Sequence, residues 1–214
     1  MINQLRRYRL ARLLFLYNFL SLIFVSLGCA RYEIKNVYST SRQIICFGNS
    51  ITAGLGVSKK EGYPNILSEL LGCSVINAGG AGETSSDALR RLDKDVLVYQ
   101  PRLVIIEFGG NDFLKKLPLS ETLQNIREMT ERIQAKGAMV AIADVSSGII
   151  MRYYRRSYKK LARQTQSIFI PNLLTGIITN PSLKSDYIHP NAEGYWLIAQ
   201  RVYQVIKPFL KQNN

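Results

Sequence analysis

The amino-acid sequence predicts an α/β protein, a three-layer α/β/α sandwich around a sheet of about five parallel strands. Three observations carry that expectation. From residue 43 onward, short apolar runs alternate with longer amphipathic ones. The apolar runs lack in-strand alternation, as in strands buried on both faces. Between them lie helices long enough to return the chain through right-handed parallel crossovers. The 214 residues suffice for one such domain with a sizeable core. A composition of 47% hydrophobic and 20% charged residues excludes a disordered chain, and there is no repeat and no low-complexity segment.

The elements follow in order. "QIICFG" (43–48) reads as a strand ending at a glycine. "GYPNILSELLG" (62–72) reads as a helix, with Pro64 in its first turn and Gly72 as its stop. "CSVINAG" (73–79) is a second strand. Leu89, Leu92, Val96 and Tyr99 then share one helical face over residues 85–99, and Thr84 with Asp87 forms a capping box at its start. "RLVIIEFGG" (102–110) is a third strand; it contains Glu107, a buried carboxylate that needs a partner the sequence does not identify. Leu123, Ile126, Met129 and Ile133 mark a helix stopped at Gly137. "AMVAIADV" (138–145) is a fourth strand, followed by a basic helix over about 149–165. "SIFIPN" (167–172) is a short fifth strand, and residues 191–210 form the closing helix.

The first 30 residues differ from the rest. Arg6, Arg7, Arg9 and Arg12 precede a largely apolar run from Leu13 to Leu27, with no acid. A basic flank followed by an apolar stretch is the pattern of an export signal, which places the following domain outside the cytoplasm. Three fates are open. "VSLGC" resembles a lipoprotein signal with Cys29 as the lipidated residue, although Ser26 sits where a branched aliphatic is usual. Cleavage after Ala30 fits the small residues Gly28 and Ala30. An uncleaved anchor fits the length of the run. Residues 31–42 read as a linker, and 43–214 as the folded α/β domain.

The chain carries a formal net charge of +13. Without residues 1–30 the balance is 24 basic against 15 acidic residues, +9. A nucleic-acid partner is not expected for an exported protein. An anionic membrane surface is the better match, with a merely solvated basic face as the alternative. The basic helix concentrates Arg152, Arg155, Arg156, Lys159, Lys160 and Arg163, with Tyr154, Tyr158, Leu161 and Ile150 on its apolar side. Cys46 and Cys73 fall in predicted strands, where plain thiols are expected more often than a bridge. "GLG" (54–56) and "GGAG" (79–82) lack the spacing of a phosphate-binding loop, which argues against nucleotide binding.

In parallel α/β sheets the site lies at the carboxyl ends of the strands. Four polar clusters fall there: Gly48-Asn49-Ser50, "GGAGETS" (79–85), "GGND" (109–112) and "SDYIHPN" (185–191), with "SSG" (146–148) as a further rim. His189 is the only histidine, so a serine that uses an imidazole base must use it. Asp186, three residues earlier, can orient the ring through Nδ1 and leave Nε2 facing Ser50. The side-chain amide of Asn111 and the backbone N–H groups of Gly82 and Ser50 supply three donors for a developing oxyanion.

The set Gly48-x-Ser50, Gly82, Gly110-Asn111-Asp112 and Asp186-x-x-His189 resembles the four blocks of the SGNH hydrolases, the GDSL esterase/lipase family. The similarity spans about residues 43–210. "GETS", "GGND" and "IHPN" most resemble the bacterial multifunctional acyl thioesterase/lysophospholipase/arylesterase branch. The resemblance implies a flavodoxin-like sheet and ester hydrolysis through an acyl-enzyme. It implies Ser50 as nucleophile, His189 as base and then acid, Asp186 as its orienter, and Ser50, Gly82 and Asn111 as the oxyanion hole. It implies no metal and no cofactor. One departure is Asn49, where the family usually carries Asp.

The expected activity is therefore hydrolysis of acyl esters or thioesters by an exported, periplasmic or membrane-attached enzyme, expected as a monomer. Two other readings stand beside it. One keeps the chemistry and makes the substrate an acetylated envelope polysaccharide or peptidoglycan. The other is a non-catalytic envelope binding protein on a hydrolase fold.

Overall fold

In the computed structural model, which describes residues 32–146 and 151–210, five strands form one sheet. They are β1 (Ile44–Gly48), β2 (Val75–Gly79), β3 (Leu103–Glu107), β4 (Met139–Ala143) and β5 (Ile168–Ile170). The order across the sheet is β2-β1-β3-β4-β5, and every pairing is parallel. This is the flavodoxin-like order, in which the chain reverses its direction of travel between β1 and β3. Cys29, Ala30 and the rest of the expected export segment lie outside the described residues, as do Gly148 and Ile150. Among the described residues no helix is long and apolar enough to cross a membrane.

The three central strands β1, β3 and β4 are buried along their whole length. Their Ile, Val, Leu and Ala side chains meet helices on both sides. Full burial of each large aliphatic contributes roughly 1.5–3 kcal/mol. Among the described residues, seven helices surround the sheet: α1 (Ser50–Ala53), α2 (Tyr63–Leu71), α3 (Ser85–Asp95), α4 (Gly110–Leu114), α5 (Leu119–Ala135), α6 (Arg152–Gln164) and α7 (Ala192–Leu210). Helix α2 packs on α7, whereas α5 packs on both α3 and α6. The capping box at α3 forms as expected, with Thr84 Oγ1 and N–H both bound to Asp87. The apolar faces expected of α5 and α6 are buried at Ile126, Met129, Ile133, Tyr158 and Leu161.

Several details depart from the expected pattern. Strand β2, one of the two edge strands, is only half-buried throughout, whereas the other edge strand, β5, is buried at Ile168 and Ile170. Cys73 precedes β2 and is exposed; Cys46 is buried in β1, and both are free thiols. Tyr99 is half exposed, because α3 ends at Asp95 and a separate 3-10 turn carries Leu97–Tyr99. Strand β3 stops at Glu107, and the Gly-Gly-Asn-Asp run turns directly into α4. In the stretch expected as a linker, the Asn36 side-chain amide donates to the carbonyls of Gln134 and Ala138, and Lys35 N donates to Gln166 O.

Candidate active site

The site stands at the carboxyl edge of β1 and β3, where the strand order reverses. Asn49 follows the last residue of β1 and caps α1, its Oδ1 accepting from Ile51 N at 2.9 Å. Ser50 is the first residue of that helix. Its N–H therefore has no partner within the helix, and its side chain stands at the sheet edge. The turn is tight enough to demand glycine at 48. A Cβ there would stand 2.0 Å from Thr52 Oγ1 and 2.7 Å from Glu107 Oε2.

His189 reaches the same point from the loop before α7. Its Nε2 lies 3.0 Å from Ser50 Oγ. Its Nδ1 lies 2.7 Å from Asp186 Oδ2, so Nδ1 carries the proton and Nε2 accepts from the serine hydroxyl. Asp186 Oδ1 also accepts from the N–H groups of Ile188 and His189, each at 2.8 Å. The hydrogen bond from His189, with those two N–H groups, holds the Asp186 carboxyl well below the usual carboxylate range. The loop is closed by Ser185 N donating to His189 O and by a short antiparallel bridge between Lys184 and Pro190.

Asn111 lies in α4, beyond β3. Its Nδ2 donates to Glu83 O at 2.8 Å, which leaves the second amide hydrogen unspent. Asp112, buried, fixes the segment by accepting from Ser85 N at 3.0 Å, from Ser85 Oγ and from Thr122 Oγ1 at 3.1 Å. Gly82 is exposed in the turn between β2 and α3, at φ +75°, a left-handed conformation that favours glycine. It adjoins Glu83, whose carbonyl receives Asn111. Thus Ser50, His189 and Asp186 form one hydrogen-bonded chain, Asn111 lines the same cavity, and Gly82 stands next to Asn111's anchor.

That cavity, of about 190 Å³, is bordered by Ser50, His189 and Asn111 and is otherwise mostly apolar, with Val145, Met151, Leu174 and Ile178 among its walls. Motif reading did not identify these wall residues, because they come from two segments, one after β4 and one after β5, and carry no chemistry of their own. It also missed Asp144, which is fully buried just past β4. Asp144 pairs with Arg155 Nε at 2.8 Å and accepts from Asn172 N and Ser146. Arg155 therefore turns inward, while Arg152, Arg156, Lys159, Lys160 and Arg163 of the same helix stay exposed. An acid at the end of an apolar strand, with one arginine a short helix away, was the available signal. Glu107 finds its partners in Thr52 Oγ1 at 2.9 Å and Asn49 N at 3.3 Å. Burial pushes its carboxyl up to about 7. Among the described residues no cluster of three or more His, Cys, Asp or Glu is arranged to hold a metal ion.

A flavodoxin-like sheet with a serine, an imidazole and a carboxylate in hydrogen-bonded series at its switch point defines a hydrolase of the SGNH type. The chain belongs to the GDSL-like lipase/acylhydrolase family, whose model matches residues 46–197. It is 28% identical to esterase TesA of Pseudomonas aeruginosa, over 86% of this chain and 96% of that protein. It is 27% identical to thioesterase 1/protease 1/lysophospholipase L1 of Escherichia coli, over 80% of this chain and 86% of that one. Among solved structures, the psychrotrophic esterase EstA from Pseudoalteromonas sp., inhibited by monoethylphosphonate, superposes with a TM-score of 0.70. It is 28% identical over 79% of this chain and 99% of EstA. The protein is a serine esterase of this family.

Proposed function

We propose that the protein hydrolyses acyl esters or thioesters with a hydrophobic acyl chain, as a lysophospholipase, arylesterase or thioesterase does. The apolar cavity that opens on Ser50 and His189 carries this reading. An acetyl group would leave most of that apolar surface unfilled. In the proposed reaction Ser50 Oγ attacks the acyl carbonyl carbon as its proton passes to His189 Nε2. The carbonyl electron pair becomes an oxyanion, received by the N–H groups of Ser50 and Gly82 and by Asn111 Nδ2. Collapse expels the alcohol or thiol, which takes the proton from Nε2. Water then attacks the acyl-enzyme by the same path in reverse, releasing the acid and free Ser50.

The test is a chain-length series of p-nitrophenyl esters. Each buried methylene contributes about 0.8 kcal/mol, so a six-carbon ester, with four more, should exceed the acetyl ester by up to roughly two-hundredfold in kcat/KM. Strict preference for acetyl would instead support the envelope deacetylase. Ser50→Ala should abolish hydrolysis and labelling by a fluorophosphonate probe while leaving the circular dichroism spectrum unchanged.

The segment 1–30 supports export to the envelope, with Cys29 as a candidate lipid anchor; mass spectrometry of membrane-purified protein tests this. The five exposed cations of α6 support attraction to an anionic membrane surface, each contributing about 1 kcal/mol near the headgroups. Co-sedimentation with anionic but not zwitterionic vesicles, lost at high salt, is the expected result. The protein is proposed to act as a monomer, which light scattering would check.

A further inference from the structure

Glu107 is a titratable group that the proposed reaction does not use, yet it lies directly beneath the turn that carries Ser50. It is 1% exposed and closes β3. Its Oε2 accepts from Thr52 Oγ1 and from Asn49 N, and the Asn49 side-chain amide lies against the carboxyl as well. Asn49 and Thr52 bracket Ser50 in sequence, so these hydrogen bonds fix both ends of the segment that aims Ser50 Oγ and its N–H. The Thr52 hydroxyl also meets the Tyr63 hydroxyl at 2.9 Å, which continues the chain into α2.

The ionised carboxylate accepts from both donors, and charge-assisted hydrogen bonds are roughly twice as strong as neutral ones. A protonated carboxyl has a hydrogen to donate. It can give it to Thr52 only if Thr52 turns its own hydrogen toward Tyr63, and Asn49 N–H then faces a neutral acceptor. We propose that Glu107 is a positioning residue for the Ser50 turn and that the turn is held in its competent geometry when Glu107 is ionised. The inference rests on Ser50 being the nucleophile.

His189 borders the same cavity as Glu107 and is common to the wild type and a Glu107 variant, so the ratio of the two isolates Glu107. Cys46 in β1, Tyr63 in α2, Tyr158 in α6 and Tyr195 in α7 face it. Burial pushes Cys46 up to about 12 and all three tyrosines above their usual range, so these groups stay neutral between pH 5 and 9. Arg91, from α3, donates to Gly48 O at 3.3 Å. Asn49 has a part in this. An Asp at that position would set a second carboxylate beside Glu107, and like charges raise each other's proton affinity. With Asn, the amide favours the ionised form of Glu107 instead.

The experiment compares kcat/KM of the wild type and Glu107→Gln on one p-nitrophenyl ester between pH 5.5 and 8.5. Gln presents the hydrogen-bonding pattern of the protonated carboxyl. The expected result is a tenfold or larger deficit at pH 8.5 that shrinks at least fivefold by pH 5.5, where the wild type is itself protonated at Glu107. A deficit of the same size at both pH values, as a purely structural role would give, overturns the proposal, and so does no deficit at pH 8.5. Asn49→Asp supplies a second measurement should Glu107→Gln fail to fold. A carbon-13 titration must then show the buried carboxyl ionising at higher pH than in the wild type, together with the acid limb of kcat/KM. An unmoved titration overturns the proposal. Ser50→Ala in the same assay separates the two readings, since hydrolysis that persists there sinks the nucleophile assignment itself.

Discussion

Asp186 accepts three hydrogen bonds within one four-residue turn: one from the His189 ring Nδ1–H and two from the backbone N–H groups of Ile188 and His189. The same carboxylate thus orients the imidazole and folds the loop that presents it. Asp186→Asn should keep the loop, because an amide oxygen still accepts from the backbone. It removes the charge that stabilises the imidazolium and permits the wrong tautomer. A fall in kcat of about 10⁴ is expected, by analogy with other triads. Because Asp186 is held below the usual carboxylate range, its favourable contribution is fully present above the unfolded value. It is lost only as pH falls through its lower folded value. The Asp186 carboxyl therefore should stay ionised above pH 5. A carbon-13 titration that finds it protonating above pH 5 would contradict this.

Asn111 is presented from the other side of the switch point. Its amide is oriented by Glu83 O, and its neighbour Asp112 is tied to α3 and α5 through Ser85 and Thr122. Asn111→Ala should lower kcat by 10²–10³, about 3–4 kcal/mol, with little change in KM, as removal of one oxyanion donor does. Asp112→Asn should act instead on stability, by leaving a buried network with one donor too many. Steady-state kinetics and urea denaturation of the two variants separate these roles.

Arg155 and Asp144 make a further testable pair. Asp144 is fully buried and Arg155 about a third exposed, so loss of the arginine strands a carboxylate where water does not reach. Arg155→Ala should cost about 3 kcal/mol, the lower end for breaking a buried pair, because partial exposure of Arg155 admits some solvent relief. Adding Asp144→Asn should recover much of that loss. Denaturant midpoints for the two singles and the double provide the measurement; strict additivity would exclude the coupling.

These pairs also mark what was legible in the sequence. The strands that pair on both sides announced themselves as unbroken apolar runs, and the motif residues at their ends carried Ser50, Asn111, Asp186 and His189 into view. Strand β2 misled, since this edge strand carries the same apolar run with only half the burial. The apolar walls of the cavity stayed invisible: Val145, Met151, Leu174 and Ile178 look like any core residues until the loops are placed. Glu107 was visible as an anomaly, and only the register of β1 against β3, with Gly48 opposite Glu107, supplied its partners.

That register leads to the last prediction. Gly48 and Glu107 are neighbours across β1 and β3, and a Cβ on residue 48 would stand between Thr52 and the Glu107 carboxyl, too close to both. The nearest atom, Thr52 Oγ1, would be only 2.0 Å away, so Gly48→Ala cannot be absorbed by a side-chain tip alone. Either Thr52 leaves Glu107, which then loses its shortest hydrogen bond, or α1 moves off the sheet edge. Overpacking of this kind costs typically 1–3 kcal/mol, and an unsatisfied buried acceptor adds a comparable amount. Gly48→Ala should therefore lower stability by about 3 kcal/mol and kcat by more than tenfold, because the displaced segment is the one that carries Ser50. Pairing it with Thr52→Ala, which removes the hydroxyl and most of the clash, should restore part of the stability lost. If the double variant is no more stable than Gly48→Ala, the steric account of Gly48 is wrong.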